Sequence, residues 1–546
     1  MTGAELLIAE LQRREVSCLY TLCGNGLDPI LAACHQAGLR VIDTRNEQAA
    51  AYMADAAGRL TRKVGVCAVS SGVAHINALT GVCNAWFDGA PMLLITGATD
   101  SATQGRGHFQ DMDTVGLSKP LVKFADWVDR PERIPWAVQQ AFGAAVSGRP
   151  GPVHLTVPMD VLKAQAPLPS LLAQPTFASA PPFGSVPCRT ETGAAVEQLA
   201  EAQRPVIIAG SGAFYSGAHQ ELARLAKELK APVMVPIWDR GAVEKPIEEF
   251  VGVIGAASGG PSILPEADVV LLVGARVDYR VGYVEPPAVS PQAMVIRCEA
   301  DANEMTQGIQ PDIPLLGAPR STLELLTQGL RAETRRADAG AWLAEAKRRD
   351  REFRAQWIEA PAPAAPPMTG RHIIDAMRQV VTDDTYLLVD GGNIGQWFHM
   401  AMCDRYPGRW MTCGASAVVG WGIPSAAAVR SVVGPEKPIL LLSGDGAATF
   451  TIAELEAAAR QCLPYVCIVA DDSAWGIVVS GCRKRGATPV ACELGPVDFA
   501  KVAEGFGAIG VRIDDPRKLP GVIEEGFAAD RPTLIHCPIV VGGPAD

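Results

Sequence analysis

Short apolar runs alternate along this chain with longer stretches in which apolar and polar positions repeat at helical spacing. Runs of about four to six apolar residues, separated by helices of about 10–15 residues, are typical of buried parallel strands in βαβ units. The pattern therefore predicts an α/β protein of doubly wound parallel sheets, which bind ligands at the carboxyl ends of their strands. The predicted strands are Val64–Val69, Met92–Thr96, Val153–Val157, Pro205–Ala209, Val233–Pro236, Val269–Val273, Met294–Arg297, Tyr386–Val389, Ile439–Leu442, Val466–Ala470 and Thr533–His536.

Two proline-rich stretches divide the chain, at residues 167–187 and 360–367. Because proline disfavours both helix and central strand, these stretches read as extended connectors. They predict three doubly wound domains of ordinary size, at residues 1–165, 188–335 and 368–546. We call these the N-terminal, central and C-terminal blocks.

Composition and charge narrow the class of protein. The 546 residues are 48% apolar and 20% charged, which is ordinary for a globular protein and argues against a largely disordered chain. A net charge of −11 without a long basic run repels nucleic acid and anionic membranes, so we expect neither as a partner. Fourteen cysteines without a Cys-x-x-Cys pair indicate core residues in a reducing compartment. No signal-peptide pattern or apolar run of about 18 residues is present, which predicts a cytoplasmic protein.

The strongest local signal lies in the C-terminal block, where two successive strands end in carboxylates. One strand ends in Gly-Asp-Gly around Asp445, and the next ends at Asp472. Because Mg²⁺ prefers a few carboxylates together with phosphate oxygens and water, the pair predicts a magnesium-bridged diphosphate. The alternative is that both aspartates only cap helices and turns. Between the strands, a T-x-x-E pattern formed by Thr451 and Glu454 predicts a helix start, like that formed by Thr2 and Glu5 at the N-terminus.

This arrangement resembles the signature of the thiamine-diphosphate (ThDP) enzymes, in which Gly-Asp-Gly is followed, after 24 residues here, by an Asn-Asn-like pair. The wider chain resembles the acetolactate synthase-like branch, including benzaldehyde lyase-type enzymes. The resemblance covers essentially the whole chain in the order pyrimidine-binding, central and diphosphate-binding domain. It implies that Asp445, Asp472 and the carbonyl oxygen of Ala474 ligate Mg²⁺. Asp472 stands where the family usually has asparagine.

Glu47 is the candidate catalytic residue of the N-terminal block. Taken alone, it is a first-turn glutamate that favours the helix dipole, preceded by Asn46 as a plausible N-cap. Its segment also resembles the ThDP-enzyme motif H/N-E-x-x-A-x-x-x-A-x-G, with Ala56 in place of the last glycine. The resemblance implies that Glu47 hydrogen-bonds N1′ of the aminopyrimidine, whose 4′-nitrogen then deprotonates the thiazolium C2. In the family, two subunits share each coenzyme, which implies a homodimer or homotetramer with active sites at the subunit interface.

Other segments resemble the family on the substrate side, each with a plainer alternative. Asn25 either meets the substrate or is a turn residue, and His75 is either a substrate contact or a surface loop histidine. Gln110 either donates to a substrate carbonyl or carboxylate or belongs to a polar loop. His108 is a candidate proton shuttle because histidine titrates near neutrality. Phe109 points into the site in the related enzymes.

The resemblance also implies the coenzyme contacts. The carbonyl of Ala417 would accept from the 4′-amino group, and Val419 would replace the methionine that holds the coenzyme bent. Apolar residues near the metal loop, including Val478, are candidate walls of the substrate site. The full set of implied coenzyme contacts is Glu47, Asn77, Asn393, Ala417, Val419, Gly444, Asp445, Gly446, Ala447, Asp472, Trp475, Gly476 and Ile477.

The central block carries weaker signals. A Gly-x-Gly at Gly210 and Gly212 follows a predicted strand, which is weak support for nucleotide binding. The segment from Gly274 to Arg280 resembles the one by which acetolactate synthases hold FAD, whereas related domains hold ADP or nothing. Bound FAD, bound ADP and a purely structural block therefore all stay open.

Together these features predict a ThDP- and Mg²⁺-dependent lyase or carboligase that acts on 2-oxo acids or 2-hydroxy ketones. Gly481 stands where the biosynthetic branched-chain enzyme has a substrate-selecting tryptophan, which argues against that activity. The alternatives are a 2-oxo acid decarboxylase, and a 2-hydroxyacyl-CoA or oxalyl-CoA lyase. The short segment after the last predicted strand argues against acyl-CoA substrates, since those relatives often have a long C-terminal tail. A noncatalytic regulatory subunit with the ThDP fold is the alternative of another class.

Overall fold

The computed structural model describes residues 1–166, 184–239, 245–255, 260–358 and 367–543. The two proline-rich connectors predicted from the sequence lie mostly outside these residues. No described helix combines the length and the apolar character needed to cross a bilayer.

The N-terminal block forms one parallel sheet with helices on both faces. Its elements are α1 Gly3–Arg13, β1 Cys18–Thr21, α2 Asp28–Ala37, β2 Arg40–Asp43, α3 Glu47–Thr61, β3 Gly65–Val69, α4 Val73–Asp88, β4 Met92–Ala98, α5 Thr114–Ser118, β5 Ala125–Trp127, α6 Ile134–Val146, β6 Pro152–Pro158 and α7 Met159–Lys163. The six strands lie in the order β2-β1-β3-β4-β6-β5, and every pair is parallel. The chain runs from β1 to β2 on one side of the sheet and from β3 to β4 on the other side. The gap between β1 and β3 is therefore the switch point, where such sheets bind ligands.

The central block repeats this architecture. Its elements are α8 Arg189–Glu201, β7 Pro205–Ala209, α9 Ser211–Tyr215, α10 His219–Leu229, β8 Val233–Pro236, β9 Phe250–Ile254, β10 Val269–Val273, β11 Met294–Glu299, α11 Ala302–Met305, β12 Ile313–Leu316, α12 Pro319–Ala332 and α13 Gly340–Ile358. The strands lie in the order β12-β11-β10-β7-β8-β9, with the switch point between β7 and β10. Helix α13 lies beyond the predicted end of the block, yet its buried Trp342 donates to the carbonyl of Pro205 at 3.0 Å.

The C-terminal block forms the third sheet. Its elements are α14 Gly370–Val380, β13 Tyr386–Asp390, α15 Gly392–Ala401, β14 Trp410–Thr412, α16 Gly422–Val432, β15 Ile439–Gly444, α17 Asp445–Thr451, α18 Glu454–Arg460, β16 Val466–Asp471, α19 Gly476–Lys484, α20 Phe499–Gly505, β17 Ile509–Arg512, α21 Leu519–Phe527 and β18 Thr533–Pro538. The order β14-β13-β15-β16-β18-β17 places its switch point between β13 and β15.

The predicted fold class is confirmed, since all three sheets are parallel and doubly wound. Each of the eleven predicted strands agrees with an observed strand to within two residues at either end. The capping box of Thr2 and Glu5 is also present. At the second T-x-x-E pattern a helix does begin, at Glu454, but the capping box is absent: Thr451 ends helix α17 and its hydroxyl donates to the carbonyl of Gly420, while Ala453 precedes α18 without a side-chain cap.

Helix α3 joins the N-terminal block to the C-terminal block. Its alanine-rich faces pack against α4 and α16 in one apolar core. Within this core Arg59 is fully buried, 3.7 Å from Asp55 and 3.4 Å from Asp88, and its guanidinium stacks on the Trp421 ring. The Trp421 indole donates to Asp55 at 2.8 Å. Because buried charges are tolerated only when paired, this cluster fixes the relative position of the two blocks.

Candidate active site

A cavity of about 160 Å³ opens at the switch point of the C-terminal sheet. It lies at the carboxyl ends of β13, β15 and β16, which is where doubly wound sheets bind ligands. Twelve of the predicted coenzyme and metal residues line it, namely Asn393, Ala417, Val419, Gly444, Asp445, Gly446, Ala447, Asp472, Ala474, Trp475, Gly476 and Ile477.

The two aspartates predicted as metal ligands are buried at this cavity. Asp445 begins helix α17 and is 5% exposed, and Asp472 is 8% exposed. Burial, and to a lesser extent the charges of Asp472 and Asp471, raises the pKa of Asp445 to about 7. Burial likewise raises the pKa of Asp472, although Asn393 donates to its Oδ2 at 3.1 Å. No lysine, arginine or histidine is among the described residues that line the cavity. A cation bound between the carboxylates would relieve this repulsion.

Glycines let the backbone approach a ligand at this edge of the sheet. Gly391 has φ +117°, and a Cβ there would lie 2.9 Å from the Gly444 nitrogen. A Cβ on Gly476 would lie 2.2 Å from Oδ2 of Asp472. Helices α15 and α19 begin at this edge, with N–H groups that lack partners within the helix. The cavity therefore combines carboxylates suited to a cation with helix termini suited to an anion.

The loop that carries Ala417 is held by the N-terminal block. The carboxylate of Asp88 accepts from the Ala415 N–H at 2.8 Å, and the Ser416 hydroxyl donates to Asn84. Ala417 itself has φ +54°, a left-handed conformation that is uncommon for residues with a side chain. The contacts from Asp88 and Asn84 therefore stabilise a strained turn at the cavity wall.

Glu47 lies on the N-terminal block, apart from the cavity. It is the first residue of α3, where Asn46 caps the helix as predicted and accepts from the Ala49 N–H at 2.8 Å. The amide of Asn77 donates to Oε2 of Glu47 at 2.9 Å. None of the described residues that line the C-terminal cavity belongs to the N-terminal block. One chain therefore does not bring Glu47 and the aspartates into a common cavity.

A second group of predicted residues meets at the switch point of the N-terminal sheet. The Ser70 hydroxyl lies 2.6 Å from the carbonyl of Asn25 and 3.0 Å from Oε1 of Gln110. The Ser71 hydroxyl donates to the Gln110 carbonyl, and Gln110 has φ +60°. Ser70 therefore connects the loops after β1 and β3 with Gln110, and it was not among the predicted residues.

His75 is neither a substrate contact nor a surface loop residue, so both predicted alternatives are wrong. It lies in the first turn of α4 and is fully buried. Its ring nitrogens pair with the hydroxyls of Thr96 at 2.9 Å and Ser118 at 3.1 Å, and its ring packs against His154. Burial lowers the pKa of His75 to about 4, so it is neutral at physiological pH and completes a buried polar network.

Three predicted residues stand on the surface of the single chain. Phe109 is 68% exposed and Val478 is 46% exposed, and neither lines the C-terminal cavity. His108 is also exposed, with its Nδ1 3.4 Å from the Phe109 carbonyl. Exposed apolar side chains beside a candidate site are expected where another surface covers them.

The sequence did not single out several residues that line the C-terminal cavity. Trp238 comes from the central block and has φ +61°, Ile539 follows the last strand, and Cys413 follows β14. The Gly542 carbonyl accepts from Asn393 at 3.2 Å, so the end of the described chain also packs on this edge. No local pattern marks these residues, because the fold brings them from distant segments.

Comparison with family models identifies all three blocks. Residues 1–117 match the thiamine pyrophosphate enzyme N-terminal TPP binding domain, 192–326 match the central domain, and 390–537 match the C-terminal TPP binding domain. The chain belongs to the thiamine pyrophosphate enzyme family. Thiamine pyrophosphate is another name for ThDP, so the resemblance drawn from the sequence is confirmed, as is the assignment of the chain as an enzyme. The match to the C-terminal model includes both aspartates of the cavity.

Curated relatives of this thiamine pyrophosphate enzyme align over nearly the whole chain. The probable acetolactate synthase large subunit of Methanococcus aeolicus is 28% identical, over 98% of this chain and 91% of the relative. The acetolactate synthase isozyme 3 large subunit of Escherichia coli is 27% identical, over 100% and 95%. The human 2-hydroxyacyl-CoA lyase 2 is 30% identical, over 93% and 84%. The acetolactate synthase-like assignment is therefore confirmed.

A second cavity, of about 80 Å³, lies between the central block and the N-terminal block. It lies beside the switch point of the central sheet and is lined by Arg149, Arg276 and Arg280. Glu299 ends strand β11 in this cavity, and burial raises its pKa to about 7. A carboxylate at a strand end, together with cationic groups, is the donor set that doubly wound sheets offer to a nucleotide.

Proposed function

We propose that this thiamine pyrophosphate enzyme uses ThDP and Mg²⁺ to break or form the carbon–carbon bond next to a carbonyl group of 2-oxo acids or 2-hydroxy ketones. The observation that carries the proposal is the C-terminal cavity, where Asp445, Asp472 and helix N-termini converge at a sheet switch point. The names of the relatives support the same chemistry, since they include acetolactate synthases and a 2-hydroxyacyl-CoA lyase.

The residues at the cavity fit a magnesium diphosphate. Asp445 and Asp472 are buried without a basic neighbour in the cavity wall, and Oδ1 of Asn393 is buried without a hydrogen-bond partner. No group of three or more metal-ligating side chains occurs in the part of the chain that the structure describes. Two carboxylates and one carbonyl, from Ala474, suit Mg²⁺, which commonly completes its shell with phosphate oxygens and water.

ThDP, when bound, supplies a nucleophilic carbon and accepts the electron pair of the broken carbon–carbon bond. The chain's own residues bind the coenzyme and control protons. Glu47 would exchange a proton with N1′ of the aminopyrimidine, while Asn77 holds its Oε2 and leaves Oε1 available. Gln110 and Asn25, connected by Ser70, would orient the substrate's polar groups, and His108 would shuttle protons. Phe109 and Val478 would supply apolar walls.

The same coenzyme site also suits two related reactions. A 2-oxo acid decarboxylase needs no further protein base, because an apolar pocket suffices to favour loss of CO₂. A 2-hydroxyacyl-CoA lyase is favoured by the relative that is 30% identical to this chain. Product analysis separates these reactions, since the first releases CO₂ and the second releases a CoA thioester.

We propose that the active enzyme is a homodimer or homotetramer. Glu47 and the cavity with Asp445 lie apart within one chain, so each site would combine Glu47 of one subunit with the cavity of its partner. Exposed apolar side chains on the N-terminal block, including Phe109 and Ile76, fit a surface that a second copy covers.

We further propose domain limits of 1–165, 188–335 and 368–546, because each range contains one complete sheet. Helix α13 follows the central range in the chain and packs on the central sheet from outside these limits. The second cavity is the candidate site for FAD or ADP, with Glu299 facing the ribose and the arginines facing the phosphates. All fourteen cysteines are free, which supports a reducing, cytoplasmic location.

A substrate panel tests the proposed activity. Purified protein is incubated with pyruvate, phenylglyoxylate, benzoin, acetoin, oxalyl-CoA or a 2-hydroxyacyl-CoA, with and without ThDP and Mg²⁺, and products are identified by mass spectrometry. We expect turnover of at least one compound that requires both additions. Turnover that persists after complete removal of ThDP would contradict the proposal, and ThDP binding without any turnover would favour the noncatalytic alternative.

A further inference from the structure

Helix α18 of the C-terminal block contacts the segment that leads into Glu47. The carboxylate of Glu454 is fully buried, and both of its oxygens accept from the Arg45 N–H, at 3.0 and 3.1 Å. The side chain of Asn46 also donates to Oε1 of Glu454, at 3.4 Å. A residue from one block therefore binds the two residues that immediately precede Glu47 in another block.

Two further residues at the end of α18 hold the same segment. The amide of Gln461 accepts from the Asp43 N–H at 3.1 Å and donates to the Asp43 carbonyl at 2.9 Å. The guanidinium of Arg460 donates to the Asp43 carboxylate at 2.6 and 3.1 Å. We call the contacts of Glu454, Arg460 and Gln461 with residues 43–46 the clasp.

The clasp ends where the helix of Glu47 begins. Asn46, which donates to Glu454, also caps α3 through the Ala49 N–H. The backbone on the N-terminal side of Glu47 is therefore held from the C-terminal block, and the backbone on its C-terminal side is held in helix α3. The carboxylate of Glu47 accepts from the Asn77 amide, and the position of the Glu47 backbone sets the direction in which this carboxylate points.

Burying the Glu454 carboxylate destabilises the fold unless hydrogen bonds compensate for the lost hydration. Burial raises the pKa of Glu454 to about 8, although the Arg45 and Asn46 donors oppose that rise. An apolar residue of similar volume would fill the space without this cost, but it would leave the Arg45 N–H without an acceptor. The contacts of Glu454 thus favour a role in orientation over a role in stability.

We propose that Glu454 is a positioning residue, which holds the backbone of Arg45 and Asn46 so that Glu47 meets the coenzyme in the productive orientation. The proposal rests on the proposed role of Glu47. Glu454 does not touch the coenzyme or the substrate, so its removal acts through Glu47.

The test compares kcat, KM and ThDP affinity for Glu454→Met and Glu454→Gln, on a substrate that the panel identifies. Methionine removes the acceptor at nearly equal volume, and we expect kcat to fall by about ten- to hundred-fold with little change in KM. Glutamine keeps an acceptor oxygen for the Arg45 N–H, so we expect kcat within about three-fold of wild type. Glu504→Gln, the same substitution at an exposed position of helix α20 in the same block, is the matched control and should leave kcat unchanged.

A double-mutant cycle separates positioning from general destabilisation. In a Glu47→Gln background, Glu454→Met should lower kcat no further, because the group that it positions is already absent. An additional drop of the same size in that background would overturn the proposal, and so would wild-type kcat for Glu454→Met. If Glu47→Gln itself is fully active, the proposed function fails instead, so the two failures are distinguishable.

A second variant keeps the test available if Glu454→Met does not fold. Gln461→Leu removes the two hydrogen bonds to the Asp43 backbone from a partly exposed position. We expect kcat to fall by about three- to ten-fold, with KM unchanged and no further fall in the Glu47→Gln background. Unchanged kcat in Gln461→Leu, measured on folded protein, would overturn the proposed role of the clasp in positioning Glu47.

Discussion

Replacing Glu47 with glutamine is expected to lower kcat by about a hundred- to ten-thousand-fold, the range for loss of a group that exchanges protons in catalysis. Glutamine keeps the length of the side chain and can still accept from Asn77, but it cannot exchange a proton with N1′. Glu47 lies at the start of a helix whose cap is Asn46, so the fold does not depend on its charge. The Tm and the affinity for ThDP should therefore stay close to those of wild type.

Steady-state kinetics and calorimetric titration with ThDP check this prediction together. Asp28→Asn is the matched control, since Asp28 is exposed and is also the first residue of a helix in the N-terminal block. It should leave kcat unchanged. If Glu47→Gln retained kcat within about two-fold of wild type, Glu47 would not be the proton-exchanging group.

The second large effect is expected at the metal ligands. Asp445→Ala should weaken ThDP binding in the presence of Mg²⁺ by at least about a hundred-fold, because a direct ligand matters more than the supporting residues of metal sites. Asp472→Asn should bind within about three-fold of wild type or more tightly, because it removes one of two repelling carboxylates and keeps an oxygen ligand. The two aspartates of the cavity are thus expected to differ sharply.

The rise in Tm on addition of ThDP and Mg²⁺ measures this difference. The rise should be absent in Asp445→Ala, present in Asp472→Asn, and unchanged in the control Asp498→Asn, which caps helix α20 elsewhere in the block. In wild type the rise should shrink as the pH falls below about 7, because the raised pKa of Asp445 lets protons compete with the cation. A full rise in Asp445→Ala would contradict the metal assignment.

The strands in the middle of each sheet were predictable from the sequence, because they are buried on both faces and form continuous apolar runs. The strands that were not predicted are mostly short or half exposed, such as Ala125–Trp127, Trp410–Thr412 and Ile509–Arg512. Their apolar runs are too short to differ from those of loops or helices. Edge strands are stabilised by hydrogen bonds to one neighbouring strand, and a local sequence pattern does not reveal that neighbour.

Some residues of the candidate site were likewise predictable from the sequence, and others were not. Asp445 and Asp472 each follow a predicted strand, and the carboxyl ends of parallel strands lie at one edge of the sheet. Trp238 and Ile539 reach the same cavity from distant segments, which only the fold reveals. His75 was misassigned because a histidine beside glycine and serine resembles a loop residue, whereas its helix buries it against Thr96 and Ser118.

Identical local patterns can also have different outcomes. The T-x-x-E pattern of Thr2 and Glu5 forms a capping box, because both side chains remain at the helix start. Thr451 and Glu454 match the pattern equally well, yet Thr451 bonds Gly420 and Glu454 bonds Arg45. Tertiary contacts decided the second case, and they are invisible at the level of four residues.

Subunit complementation tests the central claim most directly, namely that Glu47 of one chain and Asp445 of another act on one coenzyme. Glu47→Gln and Asp445→Ala, each inactive alone, are co-expressed with different affinity tags, and the mixed oligomers are purified through both tags. In a mixed dimer, one of the two sites has both residues intact, so activity of about half of the wild-type value is expected. Mixed oligomers as inactive as either parent would contradict the shared site.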